Sequence, residues 1–240
     1  MNSNFHFSFV ILHYQNVEDT IICIESILKN VKYENFNIIV VDNNSPNKSG
    51  KVLFNDYGND KKIKVILNDE NLAFAKGNNV GFTYAKNHFK SDFILLLNND
   101  TYINQSNFIS LIIQKYSELK FHIMGPDIIS TIDGTHQNPR ILTLQNKERL
   151  KKYIKLYSFL LVLNYLLLDK ILENTKKKII KKPFITPEKN EKLDWGLEKQ
   201  DVKLHGSALI FSPLYVSKYD GLNPETFMYS EEAILYFIAM

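Results

Sequence analysis

The chain has 240 residues and a mass of 28.0 kDa, 45% hydrophobic and 23% charged, a composition that fits a globular protein with a sizeable core. Its one cysteine, Cys23, excludes a disulfide framework and a zinc site built from several cysteines, and fits a reducing compartment. The net charge of +3 is unevenly spread: residues 147–192 hold 13 Lys/Arg against 5 Asp/Glu, so a basic segment suited to an anionic surface sits in a mildly acidic body.

In chain order, Met1–Tyr14 has an apolar stretch but lacks a positive leader and a small-residue cleavage site, so it reads as a first strand and not as a signal peptide. Nearly continuous apolar runs at Phe7–Leu12, Asn37–Val41, Ile63–Leu67 and Phe93–Leu97 predict strands covered on both faces. Helical stretches alternate with them. Val17–Asn30 follows an Asn16 cap, Lys48–Tyr57 and Ala73–Asn87 come next, and Asn107–Leu119 follows a Ser106 cap. Such alternation predicts an α/β fold with a mostly parallel sheet between helices.

The pattern breaks after Arg140. Leu156–Leu168 is a charge-free run of 13 residues, about 20 Å as a helix and short of a membrane span. Lys151, Lys152 and Lys155 precede it, and Lys176–Lys178, Lys181 and Lys182 follow. Two readings stand: an interfacial helix on an anionic leaflet, or an insertion helix packed against the domain or a partner subunit. No nucleic-acid-binding motif accompanies the basic residues, so nucleic acid is not expected as a partner. Val202–Phe211 then reads as a further strand carrying His205-Gly206-Ser207, and a last helix begins near Glu231.

Ligands of parallel sheets bind beyond the carboxyl ends of the strands. The four strands here lead into His13-Tyr14-Gln15-Asn16, Asp42-Asn43-Asn44-Ser45, Asn68-Asp69-Glu70-Asn71 and Asn98-Asn99-Asp100-Thr101. Any one cluster is ordinary turn chemistry. Four on one sheet edge mark a crevice. No GxGxxG follows the first strand, which argues against a dinucleotide fold.

The ordered set VILHYQN, IIVVDNNS, ENLAFAKGNNVG, FILLLNNDT and the later FMYSEE resembles family 2 glycosyltransferases of the GT-A fold, over residues 7–130 and 200–235. The resemblance implies one GT-A domain over residues 1–240, with a basic, helical insertion at about 141–192. It implies inverting transfer of a sugar from a nucleotide-diphosphate sugar to a saccharide or lipid-linked acceptor, usually with a divalent cation, Mg²⁺ or Mn²⁺. A hard cation on carboxylate and phosphate oxygens neutralises the departing diphosphate. In that role Asp100 is the metal candidate, and Asn98 takes the motif's first position, often acidic elsewhere.

By the same resemblance, Asp42 binds the base or ribose, and Asn71, Gly77 and Asn78 lie in the segment that closes around the nucleotide. Tyr14 is either a stacking surface for the base or a core tyrosine. Glu231 and Glu232 stand where the family carries an acidic pair. Glu232 is expected as the base and Glu231 as an acceptor contact or loop holder, although both also suit the first turn of a helix. His205 and Trp195 are each either structural or turned to the donor and acceptor cleft. Family members continue past the point where this chain stops, so the sequence reads as shortened at its C-terminus. The setting implied is bacterial surface-polysaccharide synthesis at the cytoplasmic face of the membrane. Two alternatives remain open: an inactive sugar-nucleotide-binding or scaffold module, and a nucleotidyltransferase, which the lack of a glycine-rich loop near the first strand disfavours.

Overall fold

A computed structural model describes residues 4–139, 155, 158, 194–225 and 231–239. The chain divides into two compact units, Met1–Arg140 with Lys199–Met240, and Ile141–Glu198. In the first unit a six-stranded sheet comprises β1 (Phe7–His13), β2 (Phe36–Asp42), β3 (Ile63–Leu67), β4 (Phe93–Asn98), β5 (Ile123–Met124) and β6 (Ala208–Phe211). The spatial order is β3-β2-β1-β4-β6-β5. The first four strands pair parallel, while β6 runs antiparallel to β4 and β5. This is the mostly parallel α/β sheet that the sequence predicts.

Alternation along the strands explains why helices cover both faces. Phe7, Phe9 and Ile11 of β1, Ile38 and Val40 of β2, and Leu95 and Leu97 of β4 belong to one apolar cluster. Val10, Ile39, Val41, Ile94 and Leu96, which alternate with them, belong to another. The first cluster takes Cys23, Ile24 and Ile27 from α1 (Val17–Asn30), Leu53 from α2 (Ser49–Tyr57), and Ile109 and Ile112 from α4 (Phe108–Leu119). The second takes Ala75 and Phe82 from α3 (Ala73–Tyr84), Tyr215 from α5 (Pro213–Val216) and Leu235 from α6 (Glu231–Ala239). Side chains of period two on the strands and near four on the helices meet in two dry layers.

The helix starts carry the expected chemistry in part. Asn16 caps α1, its side chain accepting the Asp19 N–H, with Glu18 and Asp19 in the positively polarised first turn. Elsewhere four details differ from the sequence reading. Helix α2 starts at Ser49, because Lys48 is left-handed at φ 61° and Asn47 Oδ1 takes the Ser49 N–H. Helix α4 starts after Asn107, following a Gln105–Phe108 turn, and Ser106 does not cap it. Helix α3 ends at Tyr84 and widens into a π-helical turn over Ala85–Phe89, closed by left-handed Lys90. Finally, the strand expected over Val202–Phe211 is only Ala208–Phe211. Its lead-in bonds to a side chain instead of a ladder, the His205 N–H donating to Asn138 Oδ1, before a turn at Gly206-Ser207.

Of the expected Leu156–Leu168 helix, Ser158 is described and is helical, as is Lys155; the rest lies outside the described residues. Among the described residues, no helix is long and apolar enough to cross a membrane.

Candidate active site

The register of the sheet brings the four polar clusters to one edge. His13 aligns with Asp42, Leu12 with Asn98, and Asp42 with Leu67, one residue before Asn68. Because β6 is antiparallel, its N-terminal end reaches the same edge, where the Asn98 N–H donates to the Ser207 carbonyl at 2.9 Å.

Asp42 is 6% exposed. Its Oδ1 accepts from Ser45 Oγ at 2.6 Å and from Ser45 N at 3.2 Å. A Cβ on Gly50 would stand 2.1 Å from Asp42 Oδ2, so the first turn of α2 packs directly on the carboxylate and only glycine fits. Beneath it lies His13, fully buried, its ring nitrogens 2.7 Å from Thr20 Oγ1 and 2.8 Å from Ser49 Oγ. Burial pushes the His13 pKa down more strongly than the Asp42 carboxylate, 3.9 Å away, draws it up. The imidazole is therefore a neutral brace near neutral pH. Sequence reasoning missed Ser45 and Gly50 as supports of Asp42 and Ser49 as a partner of His13, although all lie within eight residues of Asp42.

Tyr14 is 43% exposed, so it is not a core tyrosine. It sits at a sharp turn where Gln15 is left-handed at φ 66° and the Gln15 N–H donates to Ser45 Oγ. The turn thus couples Tyr14 to the Asp42 support. Asn71 is exposed on the loop between β3 and α3. Its Oδ1 accepts from Asn43 Nδ2 at 2.9 Å and from Ala73 N at 2.8 Å.

Gly77 lies inside α3 and is buried. A Cβ there would approach Leu12 Cδ1 to 2.8 Å and Asn43 Oδ1 to 3.2 Å, so the space that glycine leaves is taken by the protein itself. Asn78 is 2% exposed, and its amide donates back to the Phe74 carbonyl. The sheet edge therefore gathers Tyr14, Asp42 and Asn71 with Gly77 behind them, and Asn78 lies buried in α3 with its amide bonded to the Phe74 carbonyl.

At the end of β4, Thr101 closes a tight turn by donating N–H and Oγ1–H to the Asn98 carbonyl. Asn98 Nδ2 donates to Ser207 Oγ at 3.3 Å. Asn99 reaches across to Thr20 Oγ1 at 3.1 Å, tying this turn to the start of α1. Asp100 is exposed. Its carboxylate and the Asn98 amide oxygen are hard donors suited to Mg²⁺ or Mn²⁺, which take one or two carboxylates together with water and substrate phosphate. Among the described residues no three His, Cys, Asp or Glu side chains cluster as an all-protein metal site.

The acidic pair at the start of α6 separates by environment. Glu231 is 5% exposed and buried, whereas Glu232 is half-buried. A Cβ on Gly206 would lie 2.8 Å from Glu232 Oε1. The Glu232 carboxylate therefore rests against Gly206, in the turn that precedes β6 and whose next residue, Ser207, bonds to Asn98. In the same turn, His205 Nδ1 accepts the Ser207 N–H at 3.2 Å, a structural use of that ring. Trp195 lies half-buried in a turn of the second unit.

A family model described as "Glycosyl transferase family 2" matches residues 8–173, more than half of the chain. No curated protein matches the sequence. Among solved structures, residues 1–349 of TarS from S. aureus are 20% identical, with a TM-score of 0.45 over 54% of this chain and 37% of that one. TarS has also been solved with UDP and with UDP-GlcNAc. The mannosyltransferase PcManGT from Pyrobaculum calidifontis, in complex with GDP-Man and Mn²⁺, is 10% identical, with a TM-score of 0.45 over 55% of this chain and 38% of that one. The chain thus spans less than two fifths of the length of either protein.

Proposed function

This chain belongs to glycosyl transferase family 2, and we propose that it moves a sugar, with inversion, from a nucleotide-diphosphate sugar to a saccharide or lipid-linked acceptor. The observation that carries the reading is the convergence at one sheet edge. The Glu232 carboxylate rests on Gly206, the neighbouring Ser207 bonds to Asn98, and Asn98 is in register with the strand that ends beside Asp42.

In this reading Asp42 accepts hydrogen bonds from the base or the ribose, with Ser45 fixing its carboxylate, and Tyr14 stacks on the base. Asn71 holds the nucleotide from the opposite loop. Asp100, with Asn98 two residues before it, would hold a Mg²⁺ or Mn²⁺ ion, which would supply positive charge against the diphosphate leaving group. Glu232 accepts the proton of the acceptor hydroxyl as its oxygen attacks the anomeric carbon from the face opposite the diphosphate. The new C–O bond forms as the bond to the phosphate oxygen breaks, and its electron pair leaves on the nucleoside diphosphate. Buried Glu231 holds the start of α6.

We further place the chain at the cytoplasmic face of a bacterial membrane, in surface-polysaccharide synthesis, with residues 141–192 as a basic insertion facing anionic lipid. The supports are the basic segment and its 13-residue apolar run.

A panel of UDP-, GDP-, dTDP- and CDP-sugars tests the reading. At least one, with MnCl₂, is expected to raise the melting temperature and to be slowly hydrolysed to its nucleoside diphosphate. A panel with neither effect contradicts a donor site at this edge.

A further inference from the structure

Asn43 follows Asp42 in the chain, is 4% exposed and makes four side-chain hydrogen bonds. Its Nδ2 donates to Asn71 Oδ1 at 2.9 Å and to the Ala73 carbonyl at 3.1 Å. Its Oδ1 accepts from Leu72 N at 2.9 Å and from Asn68 Nδ2 at 3.3 Å. Two N–H donors and two lone pairs are all that the amide has, so its capacity is fully used. The partners span Asn68 to Ala73, the whole connection from β3 to α3.

That connection is strained at its end. Ala73 has φ +60°, a left-handed conformation that an alanine adopts only where its surroundings hold it there. Asn43 grips the Ala73 carbonyl and the Leu72 N–H on either side of the strained residue. Backbone strain at the mouth of a site, held by one buried amide, is the signature of a loop kept in a fixed pose before ligand arrives.

The pose decides what Asn71 displays. Its Oδ1 takes two N–H bonds from the protein, one from Asn43 and one from Ala73. An amide with its oxygen so occupied stands one way round, with the nitrogen on the other side. Asn71 is exposed, and among the described residues its Nδ2 has no hydrogen-bond partner.

We infer that Asn43 is a positioning residue which locks the Asn68–Ala73 loop so that Asn71 presents its amide N–H groups outward, as donors to an acceptor oxygen of the nucleotide. The inference rests on the donor-site reading above. The acceptor is a phosphate oxygen or a base carbonyl, which share this chemistry.

The test is calorimetric titration with UDP, GDP, dTDP and CDP in MnCl₂, and with inorganic pyrophosphate. Asn71→Asp keeps the oxygen that the loop bonds need and replaces the outward nitrogen with an anionic oxygen. It should leave the melting temperature unchanged and weaken the bound nucleotide on the order of 10- to 100-fold, the scale of a lost polar bond plus a like-charge contact. An equal loss with pyrophosphate assigns the acceptor to the diphosphate, and a loss with the nucleotide alone assigns it to the base. Asn43→Ala should weaken the same nucleotide by a similar factor, and Asn71→Ala in the Asn43→Ala background should add less than about twofold, since the second residue acts through the first.

Full affinity in Asn71→Asp, or effects of Asn43→Ala and Asn71→Ala that simply multiply, overturns the inference while the donor reading stands. A wild-type chain that binds none of the nucleotides overturns both. Asn71→Asp tests the outward donor even if Asn43→Ala does not fold, because it keeps the oxygen to which the Asn43 amide and the Ala73 N–H donate.

Discussion

Two carboxylates at the same sheet edge sit in contrasting surroundings, and the contrast fits the two roles proposed for them. Asp42 is buried against Ser45, Gly50 and His13, so its position is fixed and it suits directional hydrogen bonding to a nucleoside. Asp100 is exposed beyond a turn that Thr101 closes, which suits a ligand completed by solvent and phosphate. Asp100→Asn should therefore spare the fold and remove most of the benefit of the cation. The expected result is a roughly 100-fold weaker affinity for a nucleoside diphosphate in MnCl₂, with little change in its absence, since a direct charged ligand contributes several kcal/mol. Titration calorimetry with and without Mn²⁺ reads this, and equal affinity in mutant and wild type removes Asp100 from the role.

At the scale of elements, the docking of α2 on the end of β2 shows how much of the site rests on helix packing. Gly50 lets the first turn of α2 meet the Asp42 carboxylate, with no room for a methyl group. Alanine raises intrinsic helix propensity by up to about 1 kcal/mol, whereas forcing a methyl group into a filled space costs about 1–3 kcal/mol. The packing term should win, so Gly50→Ala should lower the urea midpoint and weaken nucleotide binding together. A variant more stable than wild type would show that α2 does not pack as described. The sequence made these elements legible where the signal is local. Apolar runs marked β1 to β4, Asn16 marked the start of α1, and the polar residues that follow each strand marked the edge. The two-residue β5 and the π-helical end of α3 have no such local signal. The Asn43 hub gathers partners from 25 to 30 positions along the chain, and the Glu232–Gly206 contact joins residues 26 apart in sequence. Tertiary closure creates both, and no spacing rule in the sequence announces either.

For the whole molecule, the parallel half of the sheet forms the edge proposed for the nucleotide, and antiparallel β6 with α6 brings Glu232 against Gly206 at the start of β6. In the proposed reading the basic segment holds the chain where a lipid-linked acceptor is found. Each lysine near an anionic surface contributes about 1 kcal/mol. Changing Lys176, Lys177, Lys178, Lys181 and Lys182 to Gln should abolish sedimentation with phosphatidylglycerol vesicles in low salt, and unchanged sedimentation would assign that segment to packing instead. The central claim is that Glu232 is the base of a sugar transfer carried out at this edge. Glu232→Gln preserves the side chain's shape and removes its capacity to take a proton. Nucleoside diphosphate binding and donor turnover, measured on the same preparation, test the claim most directly. Binding should stay within about twofold of wild type while turnover falls roughly 10²- to 10⁴-fold. Turnover at the wild-type rate in Glu232→Gln would contradict it.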